Sequence, residues 1–153
     1  MAIPVSSAYR IFWSGRYLER ADSLARLMDT RFYEFLESGT DEDEQKTRWI
    51  ALLKGVGMYE LFARKYGNYT VKNVYEFMIF SPDNPSSIRT SLQQAKENIS
   101  GAMPDAVFIE TNKLLQMIQE SSIDEVCESP HDFLSKIIQG CALISGLIDR
   151  LWS

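Results

Sequence analysis

Between residues 6 and 38 apolar side chains recur at helical spacing, which predicts one long first helix. Trp13, Tyr17, Ala21, Leu24, Met28, Phe32 and Phe35 share one arc at about 100° per residue. Phe12 and Leu27 fall near the opposite side. A helix with two apolar sides is sandwiched between neighbours, so this one is predicted to be the spine of a bundle. Ser6 and Ser7 offer hydroxyls to cap its start. The stretch 38–44 ends it, with Gly39 suited to a left-handed C-terminal position. The acid run there favours the start of the next helix through its dipole.

A second helix is predicted over 43–56, with Trp49, Leu52, Leu53 and Val56 inward and Gly55 and Gly57 breaking it. Shorter helices follow over 59–66 and 71–80, the latter capped by Thr70 and offering Val74, Phe77 and Met78 to the core. Residues 81–85 hold Pro82 and Pro85, which cannot both sit inside a helix, so this is a loop. Pro85 is placed in the first turn of a helix over 88–100, with Asn84 as its cap. Helix resumes over 104–120, a polar link covers 121–128, and a last helix runs over 129–152 from Ser129 and Pro130. Strand-like alternation and a repeat of solenoid period are both missing from the pattern. The fold expected is all-α: one domain over 1–153, a bundle of five to seven helices around a long central N-terminal helix.

A chain of 153 residues with 45% apolar and 24% charged residues can bury a core without metal or disulfide staples. The net charge of −5, with no basic cluster, argues against nucleic acid as a partner. No apolar run approaches the ~20 residues that span a bilayer, and the N-terminus lacks a signal-peptide pattern. A cytoplasmic protein is therefore expected, with Cys127 and Cys141 as reduced, half-buried thiols.

Two polar clusters hold candidate chemistry. On the first helix Arg16, Glu19, Arg20, Ser23 and Arg26 form a strip, with Asp22 and Arg26 an acid-before-base pair. Left in water, such a strip is a solvated face with ordinary ion pairs. Partly buried, its charges must be paired, and it either braces the bundle or grips an anion with Arg forks. The second cluster is Asp83, Asn84, Pro85, Ser86, Ser87, Ile88 and Arg89, followed by Lys96, Glu97 and Asn98. It reads as a capped helix start, or as a helix end with free N–H groups that receives an anion. His131 is the sole histidine, which excludes a two-histidine zinc motif and reads as a surface or capping residue. No metal ligand set, Gly-rich phosphate loop or cofactor motif is present in the sequence.

At these clusters the sequence resembles a known family. Tyr9 to Asp22, with Gly15, Arg16, Tyr17, Leu18, Glu19 and Arg20, continued by Ala25, Arg26, Leu27, Met28 and Asp29, resembles the opening of the bacterial alpha-E domain family. Asp83 to Ile88 and Ala95 to Asn98 look like that family's second signature. The resemblance is to the N-terminal half of longer members, which carry a second Glu-Arg segment. Lys96 stands where the family usually has Arg, and Ser100 and Met103 stand where further arginines are usual.

The resemblance implies a non-catalytic accessory domain that assists a circularly permuted ATP-grasp-type peptide ligase or a peptide-modifying system. It draws attention to Arg16, Glu19, Arg20, Arg26, Asn84, Ser86, Ser87, Glu97 and Asn98, to which the spacing adds Arg89. A second copy of the chain is expected to replace the missing half. Two other readings stand beside it. One is an amide-forming or amide-transferring enzyme, with Glu19 as acid/base and Arg16 or Arg20 as anion clamp. The other is a structural helical module of a larger assembly.

Overall fold

The computed structural model describes residues 5–37 and 41–152, with side chains for all of these except 35–37 and 152. The proposed end at Gly39 and the inward side chain of Phe35 lie outside the described residues. Among the described residues eight α-helices follow in order: α1 (Val5–Glu37), α2 (Glu42–Gly55), α3 (Tyr59–Lys65), α4 (Val71–Tyr75), α5 (Ile88–Ile99), α6 (Asp105–Glu120), α7 (Ile123–Glu128) and α8 (Pro130–Asp149). A π-helical turn, Glu76–Phe80, extends α4, and a 3-10 turn, Arg150–Trp152, extends α8. The described residues contain no strand, so the expected all-helical class is what the chain adopts.

The core is a ring of four helices. The long α1 packs against α5 and α8, and α6 closes the ring by packing against both of these. The inner arc of α1 is Ile11, Leu18, Ala21, Leu24, Ala25 and Met28. Small residues at 21 and 25 let the neighbours approach. Trp13, Tyr17 and Phe32 are half-buried at the edges of this arc. The second apolar side that the pattern suggested is only partly covered: Leu27 is half-buried, while Phe12 is 59% exposed. Of the polar strip between them Arg16, Glu19, Ser23 and Arg26 are exposed, while Arg20 is half-buried.

The α6–α8 contact is close at Gly140, where a Cβ would sit 2.8 Å from Leu114 Cδ1. On α8 the inward stripe of Leu134, Ile137, Cys141, Ile144 and Ile148 keeps helical period. The shorter α2, α3, α4 and α7 close one end of the ring. There Trp49 and Phe32 meet the buried ring of Tyr75 at centroid distances of 6.2 and 6.4 Å.

Several ends differ from expectation. Ser6 and Ser7 lie inside α1 and do not cap it. Asp41 caps α2 by accepting from the Asp43 and Glu44 amides. Thr70 caps α4 as expected, through the Asn73 amide. Ser87, not Asn84, caps α5, accepting from the Thr90 amide at 3.0 Å. Ser129 makes no side-chain cap; Pro130 alone marks the start of α8. The polar link 121–128 contains α7, whose Ser122 hydroxyl accepts from the Glu125 amide. Gly57 and Gly101, with φ of 74° and 75°, supply left-handed turns after α2 and α5.

Candidate functional site

The outer face of α1 carries the strip, and its members separate into two groups. Arg16 and Glu19 pair at 3.3 Å with side chains 61% and 65% exposed. Arg26 holds Asp22 through Nε at 3.0 Å. With Gly15 and Phe12, and with Ala142, Ser145 and Asp149 of α8, these residues line a groove of about 480 Å³. Nothing around Glu19 keeps water away from it.

Arg20 behaves otherwise. It is one residue, about 100° of turn, round the helix from Glu19, which carries it to the α5 side. Its Nε donates to Ser91 Oγ at 2.9 Å, and its Nη2 donates to Gln94 Oε1 at 2.9 Å and to the Pro85 carbonyl at 3.4 Å. The Tyr17 ring lies 5.1 Å from its guanidinium carbon. Thus Arg20, of the whole strip, is the member that meets the proline loop.

That loop is built around Asn84, which is 1% exposed. Its Nδ2 donates to the Phe77 carbonyl at 3.1 Å, and its Oδ1 accepts from the Ser86 amide at 3.0 Å. A π turn bonds each carbonyl to the amide five residues on. For Phe77 that residue is Pro82, which has no N–H, so the Asn84 side chain supplies the missing donor. Because the helical backbone of α5 starts only at Ile88, Ser87 and not Asn84 stands at its cap position. Ser86 is half-buried and lines a small cleft with Arg20. Lys65 closes the loop from outside, bonding Ser81 Oγ and Asp83. Asp83 is the first cause of the raised Lys65 pKa.

The remaining candidates lie elsewhere. Glu97 and Asn98 are near the far end of α5, about 16 Å along its axis from Ser87. The Glu97 carboxylate accepts from Gln93, and Asn98 donates back to the Gln94 carbonyl. Arg89 is half-buried in the first turn of α5. Lys96 lies over the Phe108 ring at 5.6 Å.

The sequence reading passed over Arg10, whose Nη2 donates to the Glu97 and Ser100 carbonyls, both at 2.7 Å. It neutralises the carbonyl end of α5. An arginine next to the buried arc of α1 was the available signal.

His131 is exposed, as expected, but its Nδ1 lies 2.8 Å from Asp29 Oδ1, and Ser135 Oγ is 3.4 Å from Nε2. The order acid, imidazole, hydroxyl is that of a hydrolase relay. Ser135 lies inside α8, however, where backbone amides are spent on helical bonds, so no amide pair faces its hydroxyl to hold an oxyanion. The contact joins α1 to α8 instead. The hydrogen bond to Asp29 is the first cause that raises the His131 pKa above its ordinary 6.5. Its stabilising effect is whole below that value and fades as pH rises through the folded-state value. Melting curves of the native chain and Asp29→Asn between about pH 5 and pH 9 should therefore converge with rising pH. A gap independent of pH would remove the ion pair from the account.

Burial pushes the Cys141 thiol up to about 12 and raises that of Cys127, so both are poor nucleophiles near neutral pH. Among the described residues no group of three or more His, Cys, Asp or Glu side chains is arranged to hold a metal ion. No described helix is long and apolar enough to cross a membrane.

A four-helix ring whose longest member displays an adjacent Glu-Arg pair, the Arg turned inward and the Glu outward, defines an all-helical domain organised around that dipeptide. The chain belongs to the Alpha-E family, described as a predicted alpha-helical domain with a conserved ER motif, which it matches over residues 5–152. No curated protein and no solved structure matches it.

Proposed function

We propose that the chain is a non-catalytic accessory domain, acting in the cytoplasm, that docks onto a circularly permuted ATP-grasp-type peptide ligase or a related peptide-modifying enzyme. The observation that carries this reading is the outer surface of α1. Tyr9 and Phe12 are exposed there, and Trp13 stacks edge-on against both, at centroid distances of 6.2 and 5.5 Å. Tyr17 continues the row at 5.9 Å from Trp13, and the Arg16–Glu19 pair borders it. Aromatic and Arg side chains are the residues that dominate binding energy at protein interfaces. A preformed row also loses little entropy on docking.

The test is titration calorimetry with the ATP-grasp protein. Phe12→Glu should weaken the complex at least tenfold while leaving the melting temperature within about 2 °C, as expected at an exposed site. Lack of any complex with the native chain would sink the proposal.

The amide-forming reading has one observation in its favour, the groove beside Glu19. Against it stands the exposure of that carboxylate and its simple pairing with Arg16. Glu19→Gln should change stability by less than about 0.5 kcal/mol, because an exposed ion pair contributes little. If that variant bound the ligase normally yet abolished product formation, the enzymatic reading would replace the accessory one.

A further inference from the structure

On the other flank of α1 from the groove, the segment joining α2 to α3 leaves a cleft of about 220 Å³. Its apolar lining is Leu24, Leu27, Val56 and Met58. Arg20, Ser23 and Ser86 supply the polar part. The volume is below the ~300–1,000 Å³ of ordinary small-molecule sites, so it suits a group the size of one amino-acid residue.

Among the described residues Arg20, like Arg10, has no carboxylate partner, but of the two it is the one that lines a cleft. Arg16, Arg26, Arg31 and Arg48 each face a carboxylate. Arg20 bonds only neutral oxygens: a hydroxyl, a side-chain amide and a backbone carbonyl. Among the described residues no carboxylate lies within ion-pair distance of it. Those three acceptors engage Nε and Nη2 and hold the guanidinium plane in place. Nη1 keeps both of its N–H groups for another acceptor. A fixed guanidinium with unspent donors, half-buried beside apolar walls, matches a carboxylate better than any neutral group. The Ser23 and Ser86 hydroxyls, which have no partner among the described residues, can bond a peptide amide next to that carboxylate.

We propose that this cleft binds the C-terminal residue of a peptide ending in a medium aliphatic side chain such as leucine or valine. The terminal carboxylate sits on Arg20, the side chain lies against Leu24, Leu27, Val56 and Met58, and the last amide meets the serine hydroxyls. This goes beyond docking to a ligase and does not depend on it. The cleft is too short for a long acyl chain, which separates a peptide end from a lipid.

Heteronuclear NMR of the full chain provides the test, with acetyl-leucine, acetyl-leucine amide, acetyl-glycine, hexanoate and inorganic phosphate as probes. Acetyl-leucine should shift the backbone amides of Leu24, Leu27, Met58 and Ser86 saturably. Its amide and the glycine analogue should bind at least tenfold more weakly. Leu27→Trp fills the cleft without touching the three Arg20 bonds and should abolish the shifts in a chain that melts cooperatively. The proposal is overturned by an absence of saturable shifts at those residues, or by equal binding of the acid and its amide. Tighter binding of hexanoate would assign the cleft to a fatty acid, and equal binding of phosphate would reduce it to a general anion site; either result also overturns it.

Discussion

Replacing Asn84 by Ala should lower the unfolding free energy by about 3 kcal/mol, the sum expected for one buried carbonyl and one half-buried amide left without partners. For a domain of this size that is a fall of about 6–12 °C in melting temperature. The argument rests on the proline five residues after Phe77, which leaves that carbonyl without a main-chain donor inside the π turn. Asn84 replaces the donor and at the same time fixes the Ser86 amide. Ala does neither, and the loop that presents the start of α5 loses its anchor. Asn84→Asp keeps the acceptor for Ser86 but turns a carboxylate oxygen toward the Phe77 carbonyl in a buried site. That variant should be at least as unstable as Ala at neutral pH and recover partly in acid, where a protonated carboxyl can donate. Calorimetric melting of the three proteins decides the matter; a loss under about 1 kcal/mol for Ala would show that the loop stands without this side chain.

Arg20→Ala should cost about 2 kcal/mol, because it strips the buried Ser91 hydroxyl and the Gln94 amide oxygen of their partner. The contrast with Glu19→Gln, expected to be nearly silent, separates the two halves of the Glu-Arg pair. One is a brace and the other a surface group. A double-mutant cycle with Ser91→Ala isolates the bond, and a coupling of about 1–2 kcal/mol is expected for a pair in direct contact. Zero coupling would mean that the loss comes from packing of the long Arg stem against Tyr17.

Much of this architecture was legible in the residue pattern. The long first helix, the proline loop and most later helices announce themselves through apolar period and through Pro and Gly. The short helix of Ile123–Glu128 was legible too, since Ser122 followed three residues later by Glu125 is a capping signature. The segment nonetheless reads as a link, because so few apolar residues follow.

What periodicity cannot supply is the neighbour of each face. It placed Arg16, Glu19, Arg20 and Arg26 on one strip, yet only Arg20 lies on the flank that α5 covers. Asn84 is not the cap because α5 starts only at Ile88, and its side chain instead answers a carbonyl in the preceding turn, a partner that no local signal marks. The Asp29–His131 contact joins residues 102 positions apart, and no local signal marks it.

Helices α1 and α5 run antiparallel and are pinned twice, by Arg10 at the end of α5 and by Arg20 at its beginning. The pins are ten residues, about 15 Å, apart along α1. Two such points on a pair of rods oppose both sliding and scissoring. The aromatic row on the outside of α1 is thereby tied through Arg20 to the Pro85 carbonyl of the proline loop.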